Sequence, residues 1–149
     1  MSAPGSQSGG WIANGTIQPS MVCKLDTTSG KNFYVVVCVS PTDKQQIGIS
    51  QEGSYDAPGT TGAATDAARA GLPIKLFTEA EFCLVQLSNT AGCTAGDTLA
   101  VDATNGVVTS TPDGSVTPDT TATHYIMAIA LETANAAEKV RCQVHKMKF

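Results

Sequence analysis

The sequence predicts a mainly β protein, a small barrel or sandwich, on three observations. Its apolar residues fall in short β-branched runs, and Gly, Pro, Asn and Asp separate those runs. Two segments, Asp26-Thr-Thr-Ser-Gly30 and Asp102-Ala-Thr-Asn-Gly106, place an Asx-turn initiator before a glycine free to take positive φ, which is hairpin chemistry. Charged residues make up only 15% of the chain, against about 25% in ordinary soluble domains, so the polar surface rests largely on Thr and Ser. With 149 residues, 42% of them hydrophobic, the chain has the length of one domain and can build a core without metal or disulfide staples.

In chain order, residues 1–10 (MSAPGSQSGG) are small, polar and glycine-rich, a composition that cannot bury enough apolar surface to offset its ordering entropy. The first 14 residues are therefore expected to form a flexible N-terminal arm, followed by a single β domain over 15–149. Strands are expected at 16–17, 21–25, 33–39, 46–50, 74–77, 82–87, 98–101, 107–110, 126–131 and 139–147. In the last of these Val140, Cys142 and Val144 alternate with Arg141, Gln143 and His145, the period of a half-buried strand. Short Ala-rich pieces at 65–70 and 134–137 are the two helical expectations.

An internal repeat runs through this pattern. Val22 to Gly30 resembles Thr98 to Gly106 at an offset of 76 residues, Ile47 to Glu52 resembles Met127 to Glu132 at 80, and Ile74 to Leu76 resembles Val140 to Cys142 at 66. Three signals in the same order in both halves predict two similar units of hairpin plus strand, contributed to one barrel.

Composition also excludes. A net charge of -4 with nine basic residues makes no electropositive footprint for nucleic acid, whose affinity comes mainly from neutralised phosphates. The longest apolar stretch, Tyr34 to Val39, falls far short of the ~20 residues of a membrane helix. The N-terminus has neither the basic region nor the apolar run of a secretory signal, so the protein is expected to be made and kept on the cytosolic side. Cys23, Cys38, Cys83, Cys93 and Cys142 form no CxxC pair and read as small buried apolar residues. Asp26, Asp102, Asp113 and Asp119 lack calcium-loop spacing and read as Asx turns. His124 and His145 fall beside no cysteine, and Glu79 and Glu81 sit in a solvated turn. No catalytic, cofactor-binding or metal-ligating residue is expected, and no enzymatic activity.

Five phrases carry a family resemblance. They are Gly15 to Ser20 with Val22 to Asp26, then Ile47 to Gly53, then Ala70 to Lys75 followed by Cys83 to Val85, then Ala95 to Leu99 with Asp102, and Ala128 to Glu132 with Glu138 to Arg141. In this order, over 15–144, they resemble the small capsid decoration (cement) proteins of tailed bacteriophages. Two stretches depart from the family pattern: the segment from Leu87 to Thr94, which is shorter and contains Cys93, and the excursion between Gly53 and Gly71.

The resemblance implies a structural virion protein on the exterior of a phage head, assembled in the host bacterial cytoplasm and clamping neighbouring major capsid subunits. Its partners would be the phage major capsid protein and further copies of itself, in a homo-oligomer, a trimer or dimer matching the local three-fold or two-fold junctions of a shell, with the trimer favoured. A carbohydrate- or cell-surface-binding β module of a phage tail or fibre is the alternative. Trp11, the only Trp, and Ile12 are candidate interface residues because Trp buries much area on few rotatable bonds. Tyr55 and Pro58, in the long excursion, are the other two candidates.

Overall fold

The computed structural model describes residues 10–28, 30, 33–53, 67–104 and 113–148; counts and absences are of these residues. They contain eleven strands and no helix. The strands are β1 (Trp11–Ala13), β2 (Val22–Leu25), β3 (Tyr34–Val37), β4 (Gln46–Ser50), β5 (Pro73–Ile74), β6 (Leu76–Phe77), β7 (Phe82–Gln86), β8 (Thr98–Val101), β9 (Val116–Pro118), β10 (Tyr125–Ala130) and β11 (Lys139–Lys148).

Two sheets form, and each curls back on itself. The first has the order β5-β1-β3-β2-β4-β6. Its edge strands are consecutive in sequence, parted only by Lys75, so one bent segment bonds β1 through Pro73–Ile74 and β4 through Leu76–Phe77. The second sheet has the order β7-β11-β10-β8-β9, and a parallel bridge between Leu87 and Val116 brings its edges together. Closure of this kind removes the edges of the first sheet, whereas the second meets itself at this one bridge and leaves β7 without a strand on its outer side.

The two barrels share one topology. The parallel β1–β3 pair, Ala13 opposite Val35, has its counterpart in the Leu87–Val116 bridge. Ser50 opposite Leu76 matches Ala130 opposite Cys142, at the offsets of 80 and 66 seen in the sequence. The bridges Ile17–Ala68 and Cys93–Ala134 also correspond. Both turns that carry the repeat signal close alike: Thr28 N–H donates to Asp26 Oδ1 at 2.9 Å and Thr104 N–H to Asp102 Oδ1 at 2.9 Å. The mainly β expectation and the repeat therefore hold, with one revision. Each half closes its own barrel instead of contributing strands to a common one.

Other boundaries move as well. The first strand, Trp11–Ala13, falls within the stretch expected as an arm, while residues 1–9 lie outside the described set. The expected helix at 134–137 is a bridge and a turn, and residues 67–70 of the one at 65–70 are likewise non-helical. A single turn fixes too many dihedrals for one hydrogen bond to nucleate a helix, and Ala68 and Ala134 instead take backbone bonds from Ile17 and Cys93. The strand expected at 107–110 lies outside the described residues; β9 follows it and was missed.

Positive φ recurs at equivalent turns: Ser20 (62°) with Gly96 (95°), Phe33 (62°) with Gly114 (84°), and Gly71 (83°) with Ala137 (65°). One member of each pair is not glycine, and a side chain in this region costs ~1–2 kcal/mol. Ala137→Gly is therefore expected to stabilise the fold by about 1 kcal/mol, read as a rise in the thermal midpoint; a fall would show that Ala137 is not strained.

The first barrel encloses Ala13, Ile17, Cys23, Val35, Ile74 and Leu76. The interior of the second, with Leu87, Leu99, Val116 and Val140, is continuous with Val22, Cys38 and Ile49 of the first barrel. Burying each of these larger side chains contributes ~1.5–3 kcal/mol, so the barrels are joined by core and not by a linker. Hydrogen bonds reinforce the junction: Gln86 N–H to the Ser20 carbonyl at 3.0 Å, Val22 N–H to Gly114 at 2.9 Å and Tyr125 N–H to Pro41 at 2.7 Å.

Candidate interaction surfaces

The residues that could carry chemistry are spent on the fold. Asp26, Asp102, Asp113 and Asp119 each cap a backbone N–H two residues on, as their spacing predicts. Asp102 also accepts from Ser88 Oγ at 2.7 Å, from Thr104 Oγ1 at 2.7 Å and from Thr90 Oγ1. Burial alone would raise its carboxyl, yet these donors hold it down at about 2. A groove of about 350 Å³ runs past Asp102, Asp119, His124 and the hydroxyls of Ser40, Thr42 and Thr117. In it Asp119 Oδ2 meets His124 Nδ1 at 2.7 Å while Asp119 Oδ1 caps Thr121. The second histidine, His145, is held at 2.5 Å by Glu79, whose other oxygen accepts from Lys146 N–H.

All five cysteines are free and buried. Burial pushes the Cys38 thiol up to about 11 and moves Cys23 in the same direction, which keeps both protonated and unreactive. Cys83 Sγ lies 3.8 Å from Cys142 Sγ across β7 and β11, and this neighbour and burial raise the Cys83 thiol as well. Among the described residues no three His, Cys, Asp or Glu side chains converge on a metal position. No helix there is long and apolar enough to cross a membrane.

Two apolar surfaces stand uncovered by the described residues. The first is a rim of the first barrel, where β1 and β3 begin and β2 ends: Ile12 pairs with Tyr34 and Leu25 with Val35. It carries Trp11, Phe33 and Leu25, with Phe33 69% and Leu25 37% exposed. The Trp11 and Phe33 rings meet edge to face at 6.5 Å. Trp11 and Ile47 rest on the barrel interior, and Ile12 is half-buried on the opposite face of β1.

The equivalent rim of the second barrel is buried. Val85, Val101 and Gly114 occupy the positions of Trp11, Leu25 and Phe33, and Val85 and Val101 are 0% and 1% exposed. A Cβ on Gly114 would lie 2.9 Å from Val37 Cγ1 and 3.0 Å from the Val22 carbonyl oxygen. The first barrel thus covers on its neighbour the surface that it leaves open on itself.

The second uncovered surface lies on β7, β11 and β10. Phe82 and Leu131 are 66% and 47% exposed and flank a groove of about 320 Å³, together with Leu84, Arg141 and Glu52. Of the four sequence candidates, Trp11 and Ile12 share β1, and Tyr55 and Pro58 lie outside the described residues. Phe33, Leu25, Phe82 and Leu131 were not singled out from sequence, although Phe-Cys-Leu-Val over 82–85 is apolar on both strand faces, the signature of a strand covered twice.

Fold and surfaces together define a class: a duplicated pair of small β-barrels whose unspent features are apolar contact surfaces. No family model matches the chain, and neither does any curated protein. Among solved structures it is similar to the head fiber gp8.5 N base in bacteriophage phi29, with 15% identity over 93% of each chain and a TM-score of 0.49.

Proposed function

We propose that this chain is a structural protein of a phage virion, a decoration protein that attaches to the outside of the head and stabilises contacts between major capsid subunits. The observation that carries the reading is the open rim of Trp11, Phe33 and Leu25, whose counterpart in the second barrel is a protein-covered contact. The five ordered phrases support the decoration reading, and the rim offers a means of attachment. An exposed Phe33 braced edge to face by a half-buried Trp11 offers apolar area at little entropic cost. Assembly as a homo-oligomer, with a trimer preferred, would multiply this modest contact by ~10²–10⁴ through avidity.

Two variants test the reading with heads of the cognate phage. Phe33→Ser is expected to leave the thermal midpoint nearly unchanged, because the ring is mostly in solvent, while weakening co-sedimentation with heads about tenfold. Trp11→Ala should lower both. Unchanged attachment of Phe33→Ser would sink the rim as the contact. Failure of the unaltered protein to bind heads, together with binding to host-surface glycans, would transfer the aromatic pair to the sugar-binding alternative.

A further inference from the structure

We infer that Cys83 and Cys142 are an oxidation site: a small-molecule disulfide converts the two thiols into a cross-strand disulfide that fastens the edge strand β7 to β11. The attachment reading enters at one point only. A virion leaves the reducing cytosol in which its chains are made, and outside it thiols meet such oxidants.

The ladder places the two residues. Cys142 stands directly opposite Cys83 where β11 pairs with β7, and the two Sγ atoms lie 3.8 Å apart. Bonds from Val144 N–H to the Glu81 carbonyl and from Leu87 N–H to the Glu138 carbonyl bracket the pair. Antiparallel partners alternate, so the register between these bonds makes Cys83 and Cys142 a hydrogen-bonded pair. Such a pair has its Cα atoms ~5.5 Å apart, within the span of a disulfide that needs no backbone travel. Side-chain rotation is what remains, from 3.8 Å to the ~2 Å of an S–S bond.

The other thiols are placed differently. Cys23 donates to the Met21 carbonyl at 3.6 Å, Cys38 to Ser40 at 3.2 Å and Cys93 to Glu132 at 3.7 Å. Each faces a backbone oxygen, whereas Cys83 and Cys142 face each other in the core that holds Val85, Val140 and Val144.

Access comes from the edge. β7 has no strand on its outer side, and its Cys83 is 6% exposed against 0% for Cys142, so Cys83 is reached first when β7 loosens. As thiolate it attacks one sulfur of the oxidant, whose S–S bond breaks, and one small thiol departs with a proton. Cys142, as thiolate, then attacks the Cys83 sulfur of this mixed disulfide, and the second small thiol departs with the second proton. The protein loses two protons and two electrons, and the oxidant leaves as two thiols. Because the new bond also ties together distant parts of the unfolded chain, it stabilises the fold.

The test uses the whole protein with reduced thiols, hydroxyethyl disulfide as the oxidant, and Cys142→Ala beside it. After native incubation, alkylation in denaturant and proteolysis, mass spectrometry is expected to find the Cys83 and Cys142 peptides linked in most copies. Cys23, Cys38 and Cys93 should be alkylated. The thermal midpoint should rise by about 5–10 °C and fall back with dithiothreitol, and Cys142→Ala should show no such rise. Unreacted thiols, a mixed disulfide as end product, bonds to another cysteine or between two copies, or a linked product with no higher midpoint overturn the inference. The peptide map of the unaltered protein decides even if the variant does not fold. Heads are absent from this experiment, so it can fail while rim-mediated attachment stands, and the reverse.

Discussion

Gly114→Ala is expected to destabilise the protein by about 3 kcal/mol. Gly114 has φ of 84°, where a side chain costs ~1–2 kcal/mol, and the added carbon would meet Val37 Cγ1 at 2.9 Å and Met21 Cβ at 3.3 Å. Relieving that overlap costs a further ~1–3 kcal/mol. Because the clash lies between the barrels, the loss should come with weakened protection of the Val22 amide, which bonds the Gly114 carbonyl. Denaturant unfolding and hydrogen exchange measure the two effects. A loss below 1 kcal/mol would mean that the junction yields and is not a packed core.

The second large effect belongs to Asp102. Removing its carboxylate in Asp102→Ala strands the donors from Ser88, Thr90 and Thr104, and hydrogen bonds to charged groups are worth ~1.5–3 kcal/mol each before relaxation. A loss of about 3 kcal/mol is expected. The pH dependence has a definite sign. The folded carboxyl sits at about 2, below the ordinary 3.8, so its stabilisation, about 2 kcal/mol, is fully present above the ordinary value. It is lost as pH falls through the folded value. Unfolding free energies of the native protein minus those of Asp102→Asn should be flat from pH 7 to about 5 and shrink toward pH 2. A difference constant down to pH 2 would show that the carboxyl is not held down.

The β class and the duplication were legible because they depend on local chemistry. An Asp two residues before a capped N–H makes its own turn, and the turns at Asp26 and Asp102 carry the same bonds in both barrels. Alternation in β11 was legible for the same reason, with Val140, Cys142 and Val144 buried and Arg141 and His145 exposed. Barrel closure was not legible. Nothing in Pro73-Ile-Lys-Leu-Phe77 shows that its halves bond different strands, since that depends on partners far away in sequence. Gly48 hints at it only in retrospect: it is a glycine because a Cβ there would lie 2.5 Å from the Phe77 carbonyl oxygen, where β4 meets β6. The rim was half legible. Trp11 was conspicuous as a lone Trp, whereas Phe33 and Leu25 join it only once β1, β2 and β3 are in register.

The buried rim of the second barrel also bears on the order of folding. Val85 and Val101 share one core with Val22, Cys38 and Ile49, which leave the ribosome earlier. The first barrel's ladder, by contrast, is complete once Phe77 has emerged. Synthesis therefore delivers the covering surface before the surface that needs cover, and the later half condenses onto a preformed template. A chain permuted to begin at β7 would present its apolar rim with nothing to receive it, and its yield of soluble protein should fall even though every native contact remains available.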